Sequence, residues 1–352
     1  MRAPAFWQAP VTGQPRPWRD RCAMFALWPL SLLMRLLVRL RQGLYLSGML
    51  KRHAAPVLVV VVGNVVAGGG GKTPTVMALV EHLRARGLKP GVISRGYGRR
   101  KAKDGEDCRE VRPESPVEEV GDEPALVRRR THVPVFVARR RIDAARALLA
   151  AYPQVNILVS DDGLQHLALA RDIEVCVFGD LGLGNGLLLP AGPLREPWPR
   201  YVDLVLHTGQ RPAFTGHAAR RALANTAVDA SGRSVALDSL QGTLVAVAGT
   251  ARPHGFFNML QTRGLALART DALPDHAGLP DYENWHATLH KEFGTGPVTV
   301  LCTEKDAAKL WAVCPEALAV PLVFDLPQAF LDEFDRLLHA AFSAQLSSTY
   351  TH

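Results

Sequence analysis

The sequence predicts an α/β protein: a P-loop NTPase-like parallel sheet flanked by helices, with a smaller C-terminal α/β domain and an N-terminal amphipathic helix. Three observations predict it. The run Val57 to Pro74, VLVVVVGNVVAGGGGKTP, is a β-branched stretch that passes into a glycine-rich turn closed by Gly71-Lys72-Thr73. A strand buried on both faces of a parallel sheet reads this way, and glycines let backbone N–H groups close around phosphate oxygens. Further apolar runs at Pro90 to Ser94, Val133 to Val137, Val155 to Ser160, Ile173 to Phe178 and Val202 to Leu206 alternate with helix-like segments. That is the rhythm of a parallel sheet. One of these runs, VNILVSDDGLQH, ends in two adjacent aspartates, Asp161 and Asp162, and ligands gather where parallel strands end.

At 352 residues the chain exceeds the usual limit of one core. The composition divides it into an extension with a basic helix (1–55), a P-loop core (56–240), a smaller α/β domain (241–340) and a frayed tail (341–352). The net charge of +8 lies wholly in the N-terminal segment: residues 1–56 hold nine Arg or Lys against one Asp, and the remainder has 32 of each sign. Such a segment suits an anionic membrane surface, and no nucleic-acid partner is expected. Five scattered cysteines without a C-x-x-C pair point to a reducing, cytosolic setting. The uncharged stretch Cys22 to Met34 has 13 residues and contains Pro29, so it is expected to be too short to cross a bilayer and to lack a signal-peptide cleavage site.

From Ser31 to Tyr45 the spacing places Ser31, Arg35, Arg39 and Gln42 on one helical face, with Leu32, Leu33, Leu36, Leu37, Leu40 and Leu44 opposite or flanking. Trp28 and Tyr45 suit the headgroup level of a bilayer. The competing expectation is a helix packed on the protein's own core.

The loop expected to hold nucleotide comprises Val66, Ala67, Gly68, Gly69, Gly70, Gly71, Lys72 and Thr73. Lys72 is placed to reach the β- and γ-phosphates and Thr73 to ligate Mg²⁺. Val66 departs from the usual pattern, which has glycine there. Asp161 and Asp162 are the metal candidates, since a strand-end carboxylate beside a phosphate loop is the second half of a nucleotide site. The charged stretch Tyr97 to Glu119 reads as an exposed loop or short hairpin able to serve as a lid. In VGDEP, Asp122 and Glu123 open a helix, and Asp122 reads equally well as a simple N-cap. The segment Gly182 to Pro197 is dense in glycine and proline and is expected to present Arg195 and Glu196. Arg95 and Arg139 to Arg141 supply cations that can face phosphate. His276 stands alone in a Pro/Gly-rich loop. In Thr303 to Asp306, TEKD, lysine and aspartate are adjacent, so the spacing of a guanine-reading motif fails.

In order along the chain, GN then GGGGKTP, SRGYG, GDEP, DDGLQH, RDIE, GNG then LLPAGPLREP, PDH and TEKDAAKL resemble the motifs of the tetraacyldisaccharide 4'-kinases. The resemblance implies transfer of the ATP γ-phosphate, with Mg²⁺, to the 4'-hydroxyl of a tetraacylated glucosamine disaccharide 1-phosphate. It implies a peripheral enzyme at the cytoplasmic face of the inner membrane, acting on a membrane-embedded lipid A precursor with no obligate protein partner. It further implies Asp122 as catalytic base assisted by His276, and Asp161, Asp162, Gln165 and Glu196 near the metal and phosphates. Arg195, Arg95 and Asn64 are assigned to substrate. The family also does not keep glycine at position 66, and its usual sequence near GIGNP is replaced here by residues 249–253. Two other classes fit the P-loop: an NTPase switch or chaperone acting on a protein partner, and a membrane adaptor with a vestigial loop.

Overall fold

A computed structural model describes every residue except 1–3, 9–16, 69, 101–106, 210–211, 213, 251–252, 276, 295 and 350–352. The chain forms two units, one of residues up to 220 together with 325–352, the other of residues 221–324.

In chain order the first unit contains α1 (Trp18–Leu46), β1 (Leu58–Gly63), α2 (Lys72–Ala85), β2 (Pro90–Ser94), β3 (Arg109–Glu110), α3 (Val117–Val120), α4 (Asp122–Thr131) and β4 (Val135–Val137). It continues with α5 (Arg141–Ala151), β5 (Ile157–Asp161), β6 (Ile173–Phe178), β7 (Leu204–His207) and β8 (His217–Ala218). These strands form one sheet in the order β3-β4-β2-β5-β1-β6-β7-β8, parallel except where the short β3 runs against β4. Every residue of β1 is buried, as expected for a β-branched run covered on both faces. β1 lies between β5 and β6 in the sheet, and ligands of such sheets gather outside the carboxyl ends of the strands. Val62 lies in register with Asp161, which puts the aspartate pair beside the start of the P-loop.

The second unit contains β9 (Arg220–Leu223), β10 (Thr226–Val228), β11 (Ser234–Ala236), β12 (Thr243–Ala248), α6 (Pro253–Thr262), β13 (Leu267–Ala272), α7 (Leu279–Phe293), β14 (Val298–Thr303), α8 (Glu304–Leu310), β15 (Leu318–Val320) and β16 (Leu322–Asp325). Its main sheet has the order β11-β10-β15-β14-β12-β13. The TEKD segment is structural here. Thr303 caps α8, and buried Asp306 accepts hydrogen bonds from the Thr303 hydroxyl (2.6 Å), the Tyr282 hydroxyl (2.6 Å) and the Gly249 amide (3.1 Å).

The C-terminus departs from expectation. Helix α9 (Gln328–Thr349) belongs with the first unit, where Asp335 bonds His82 (2.7 Å) and Glu333 bonds His217 (2.9 Å). Residues 341–349, expected to fray, continue this helix, whose preceding turns bury Phe330, Phe334 and Leu338.

Helix α1 is 29 residues long, twice the expected span, and is long and apolar enough by length and composition to cross a membrane. The expectation of a stretch too short to span thus fails on length. Its face is also decided. Ser31 is buried, with Met34, Val38, Gln42 and Tyr45 partly covered, while Leu32, Leu33, Leu36, Leu37 and Leu40 are all exposed, Leu36 by 63%. The Ser31 hydroxyl donates to Leu188 O (2.7 Å) and accepts from the Ala191 amide (2.9 Å). The side directed at the protein is the one carrying Ser31 and Gln42, and the leucine side is left bare. Ser31→Ala removes the bridging hydroxyl, leaves the Leu188 carbonyl and the Ala191 amide without it, and is expected to cost about 1–2 kcal/mol, read as a lower urea midpoint with unchanged slope; an unchanged midpoint would show that α1 is held by other contacts.

Candidate active site

The phosphate loop runs from Asn64 to Gly71, whose φ of 84° is a left-handed turn that favours glycine. The loop is strapped from outside by the segment 187–195. The Ala67 amide donates to Pro193 O (2.7 Å), the Arg195 amide donates to Val65 O (2.7 Å), and Val66 pairs antiparallel with Leu194. This accounts for valine at position 66. Its backbone lies in a ladder and its side chain is buried, so the position needs no glycine freedom. The hydroxyl of Thr208, just beyond β7, donates to Gly70 O (2.7 Å) and holds the other flank. Gly69 lies outside the described residues.

At the mouth of the loop, Lys72 Nζ donates to Asn64 Oδ1 (3.4 Å) and stands 3.7 Å from Asp162 Oδ1. Thr73 Oγ1 donates to Asp161 Oδ2 at 3.4 Å. Asp161 is 1% exposed, and its second oxygen, Oδ1, is buried with no hydrogen-bond partner. Burial, then the charges of Glu123 and Asp162, push its carboxyl up to about 7. A buried oxygen without a partner beside a hydroxyl is a hard-oxygen donor set, which fits Mg²⁺. Asp162 behaves oppositely. Burial would raise its carboxyl, but Lys72 and Arg195 outweigh burial and hold it below its usual value. Its φ of 49° is a conformation that asparagine and aspartate tolerate better than other side chains.

Lys72, Arg195 and Arg141 are the cations that act on the pair. Arg195 Nη1 donates to both oxygens of Asp162 (3.0 and 3.1 Å) and to Gln165 Oε1 (3.4 Å). Buried Arg141, at the start of α5, donates to the backbone carbonyls of Asp161 (3.1 Å) and Asp162 (3.3 Å). Burial lowers its pKa to about 10. Arg95 is exposed at the end of β2, and its charge acts on Arg141 and His166. Burial, with Arg141 and Arg95 after it, pushes the His166 imidazole down to about 3, so it is neutral near pH 7.

Gln165 and Glu196 form a second layer. Gln165 Nε2 donates to Glu196 Oε1 (2.7 Å) and to Asn64 O (3.0 Å). Glu196 also accepts from Arg200 and from Gln42 of α1. Sequence reasoning missed Gln42, Arg200, Glu174 and Thr208 as parts of the site. Gln42, Arg200 and Thr208 sit in no motif, Glu174 closes the RDIE motif without any role being read from it, and only the folded chain brings them to the site.

Asp122 is buried in the first turn of α4. The N-cap is Gly121, so the N-cap reading of Asp122 gives way to a first-turn carboxylate favoured by the helix dipole. A Cβ on Gly121 would come within 3.0 Å of Tyr97 O, and one on Gly96 within 2.7 Å of Val120 O. The two glycines thereby let the SRGYG and GDEP loops close on each other. The Tyr97 to Glu119 stretch is correspondingly docked, with the Arg100 amide donating to Glu118 O at 2.6 Å; residues 101–106 lie outside the described part. His276 also lies outside it. Its neighbour Asp275 accepts from Lys305 of the TEKD segment at 3.1 Å. The structure therefore brings together Asn64, Lys72, Thr73, Asp161, Asp162, Gln165, Arg195 and Glu196 at the carboxyl edge of β1 and β5.

The family model described as LpxK, tetraacyldisaccharide-1-P 4'-kinase, matches residues 23–339. A protein named tetraacyldisaccharide 4'-kinase from Acidovorax sp. (strain JS42) is 56% identical over 336 residues, 94% of each chain. Another of that name, from Shewanella halifaxensis (strain HAW-EB4), is 41% identical over 324 residues, covering 89% of this chain and 94% of its own. Among solved structures, the crystal structure of an LpxK from Aquifex aeolicus in complex with ATP matches with a TM-score of 0.75 and 27% identity, covering 91% of this chain and 99% of that one. With its phosphate loop, aspartate pair and second layer assembled at one edge of the sheet, and with these likenesses running nearly end to end, the chain belongs to the tetraacyldisaccharide 1-phosphate 4'-kinase family, the ATP-dependent kinases of lipid A biosynthesis.

Proposed function

We propose that this kinase transfers the ATP γ-phosphoryl group to the 4'-hydroxyl of a tetraacylated glucosamine disaccharide 1-phosphate, using Asp122 as the base, while resting on the cytoplasmic face of the inner membrane. The observation that carries the reading is the meeting of Lys72 and Thr73 with Asp161 and Asp162, one carboxylate buried and incomplete, the other already paired with cations. Phosphoryl transfer through a loose transition state needs positioning and charge neutralisation more than covalent chemistry. Lys72 exchanges its hold on Asp162 for the β- and γ-phosphates, and Arg195 keeps Asp162 in place when it does. Thr73 and Asp161 are the residues that would hold Mg²⁺, which supplies charge neutralisation across the phosphates. We assign Asn64 and Arg195 to the phosphate side, since both are tied into the Lys72 and Asp162 network, and leave Arg95, exposed at the rim, for the anionic acceptor. Asp122 accepts the hydroxyl proton in this reading, with His276 assisting as the family resemblance implies.

The helix α1 supports the membrane part. Its bare leucine side, each leucine worth roughly 1.5–3 kcal/mol when buried, is flanked by exposed Arg19, Arg21, Arg35, Arg39 and Arg41. One side is bonded to the protein, which suits a helix lying half-immersed in the interface rather than one surrounded by lipid. An acceptor with four acyl chains stays in that interface.

The decisive experiment incubates the full chain with Mg²⁺, γ-labelled ATP and a tetraacyl disaccharide 1-phosphate in detergent micelles, with Lys72→Ala as control. Label in the lipid that disappears in the control supports the reading; hydrolysis without labelled lipid refutes it and favours an NTPase switch. Asp122→Ala is expected to slow turnover by about 10²–10⁴-fold with ATP binding retained, and near-normal turnover would remove Asp122 as base. Replacing Leu33, Leu36 and Leu40 together by serine is expected to abolish co-sedimentation with anionic vesicles while leaving ATP binding intact. Unchanged sedimentation would show that α1 is not the membrane contact.

A further inference from the structure

Gln42 lies on the protein-facing side of α1, eleven residues beyond the Ser31 anchor, about 16 Å along the helix. Its amide Nε2 donates to Glu196 Oε2 at 3.1 Å. Glu196 is 3% exposed, so its charge must be met by donors within the protein. Arg200 approaches both of its oxygens at 3.3 Å but is shared with Glu174. Gln165 donates to Oε1 at 2.7 Å, and Gln42 completes the set at Oε2.

The consequence falls on Gln165. An amide can sit either way round, and its neighbours choose. Here Glu196 Oε1 and Asn64 O are both acceptors, so both require Nε2, and Oε1 is left facing Arg195 Nη1 at 3.4 Å. Turned over, Gln165 would aim an oxygen at a carboxylate and a carbonyl. Arg195 in turn grips Asp162, which stands against Lys72. An unbroken run of polar contacts thus leads from the bilayer-type helix to the phosphate-loop lysine.

We propose that Gln42 is a positioning residue of the kinase site: from α1 it holds the Glu196 carboxylate, and through it fixes the orientation of Gln165 and Arg195 in the phosphate cradle. The proposal rests on the reading of Lys72, Asp162 and Arg195 as the phosphate site. It gives α1 a second task besides attachment, since whatever orders or tilts this helix moves a donor to Glu196.

The test uses the full chain in detergent micelles with Mg²⁺, ATP and the tetraacyl disaccharide 1-phosphate, comparing wild type, Gln42→Leu, Glu196→Gln and the double variant. Vesicle sedimentation, thermal melting and hydrogen exchange are measured alongside. Gln42→Leu keeps the size of the side chain and removes its donor. The expected result is a kcat lower by about tenfold, the scale of one hydrogen bond to a charged group, with the KM for ATP within about twofold, sedimentation as in wild type, and a melting midpoint that is lowered but stays well above the assay temperature. In the Glu196→Gln background Gln42→Leu is expected to have no further effect, the signature of two residues acting as one unit. Backbone exchange in 160–166 and 193–197 is expected to quicken in Gln42→Leu. A wild-type kcat, the same loss in both backgrounds, or a loss that tracks weaker sedimentation would each overturn the proposal. Should wild type label no lipid, the kinase reading fails by itself, and unchanged exchange in 160–166 would still overturn the positioning role.

Discussion

A carboxylate oxygen buried with no hydrogen-bond partner is the constraint on which the active edge of this protein depends. Asp161 Oδ1 is in that position, and an ionised carboxylate withdrawn from water is costly unless a cation or proton meets it. Burial together with Glu123 and Asp162 holds its carboxyl up at about 7. The surrounding groups resolve the conflict without supplying the missing partner. Arg141 bonds the backbone carbonyls of the pair rather than the Asp161 carboxylate, and Lys72 and Arg195 are engaged by Asp162. Asp161 Oδ1 is left to be met by a proton or a cation.

The same edge shows how a phosphate loop can be stiffened from outside. A P-loop has few side chains to pack, so its shape must come from backbone bonds or from neighbours. Here the segment 187–195 forms a short ladder with residues 65–67 on one flank and Thr208 ties Gly70 on the other. The glycines and prolines of that segment serve to bring it across the loop, and in doing so they deliver Arg195 and Glu196 as consecutive residues to opposite sides of Gln165. The placing of Arg195 and Glu196 and the shape of the loop are therefore properties of one segment.

Helix α1 carries the remaining constraint. A helix with a bare row of leucines in water is unfavourable, and this one is tied down by polar groups, Ser31 and Gln42, instead of by its apolar side. Polar docking leaves the leucines exposed. It also makes the helix part of the hydrogen-bond system that ends at the phosphate loop.

The sequence by itself determined the sheet, the phosphate loop and the paired aspartates, because a β-branched run, a glycine turn and a strand-end DD are local patterns with local causes. It also determined that α1 has a polar and an apolar side. It left undecided which side meets the protein, because periodicity defines two faces without saying what covers either. It misjudged the C-terminal helix, whose Phe330, Phe334 and Leu338 find their burial in the unit begun some 300 residues earlier and whose polar ending reads locally as a tail. Only the tertiary structure decided that Val66 needs a ladder rather than glycine, that Asp306 is a structural hub, and that Gln42, Gln165 and Arg200 converge on Glu196. These are contacts between residues distant in the chain, and their energies come from desolvation and hydrogen bonding that exist only once the chain has folded.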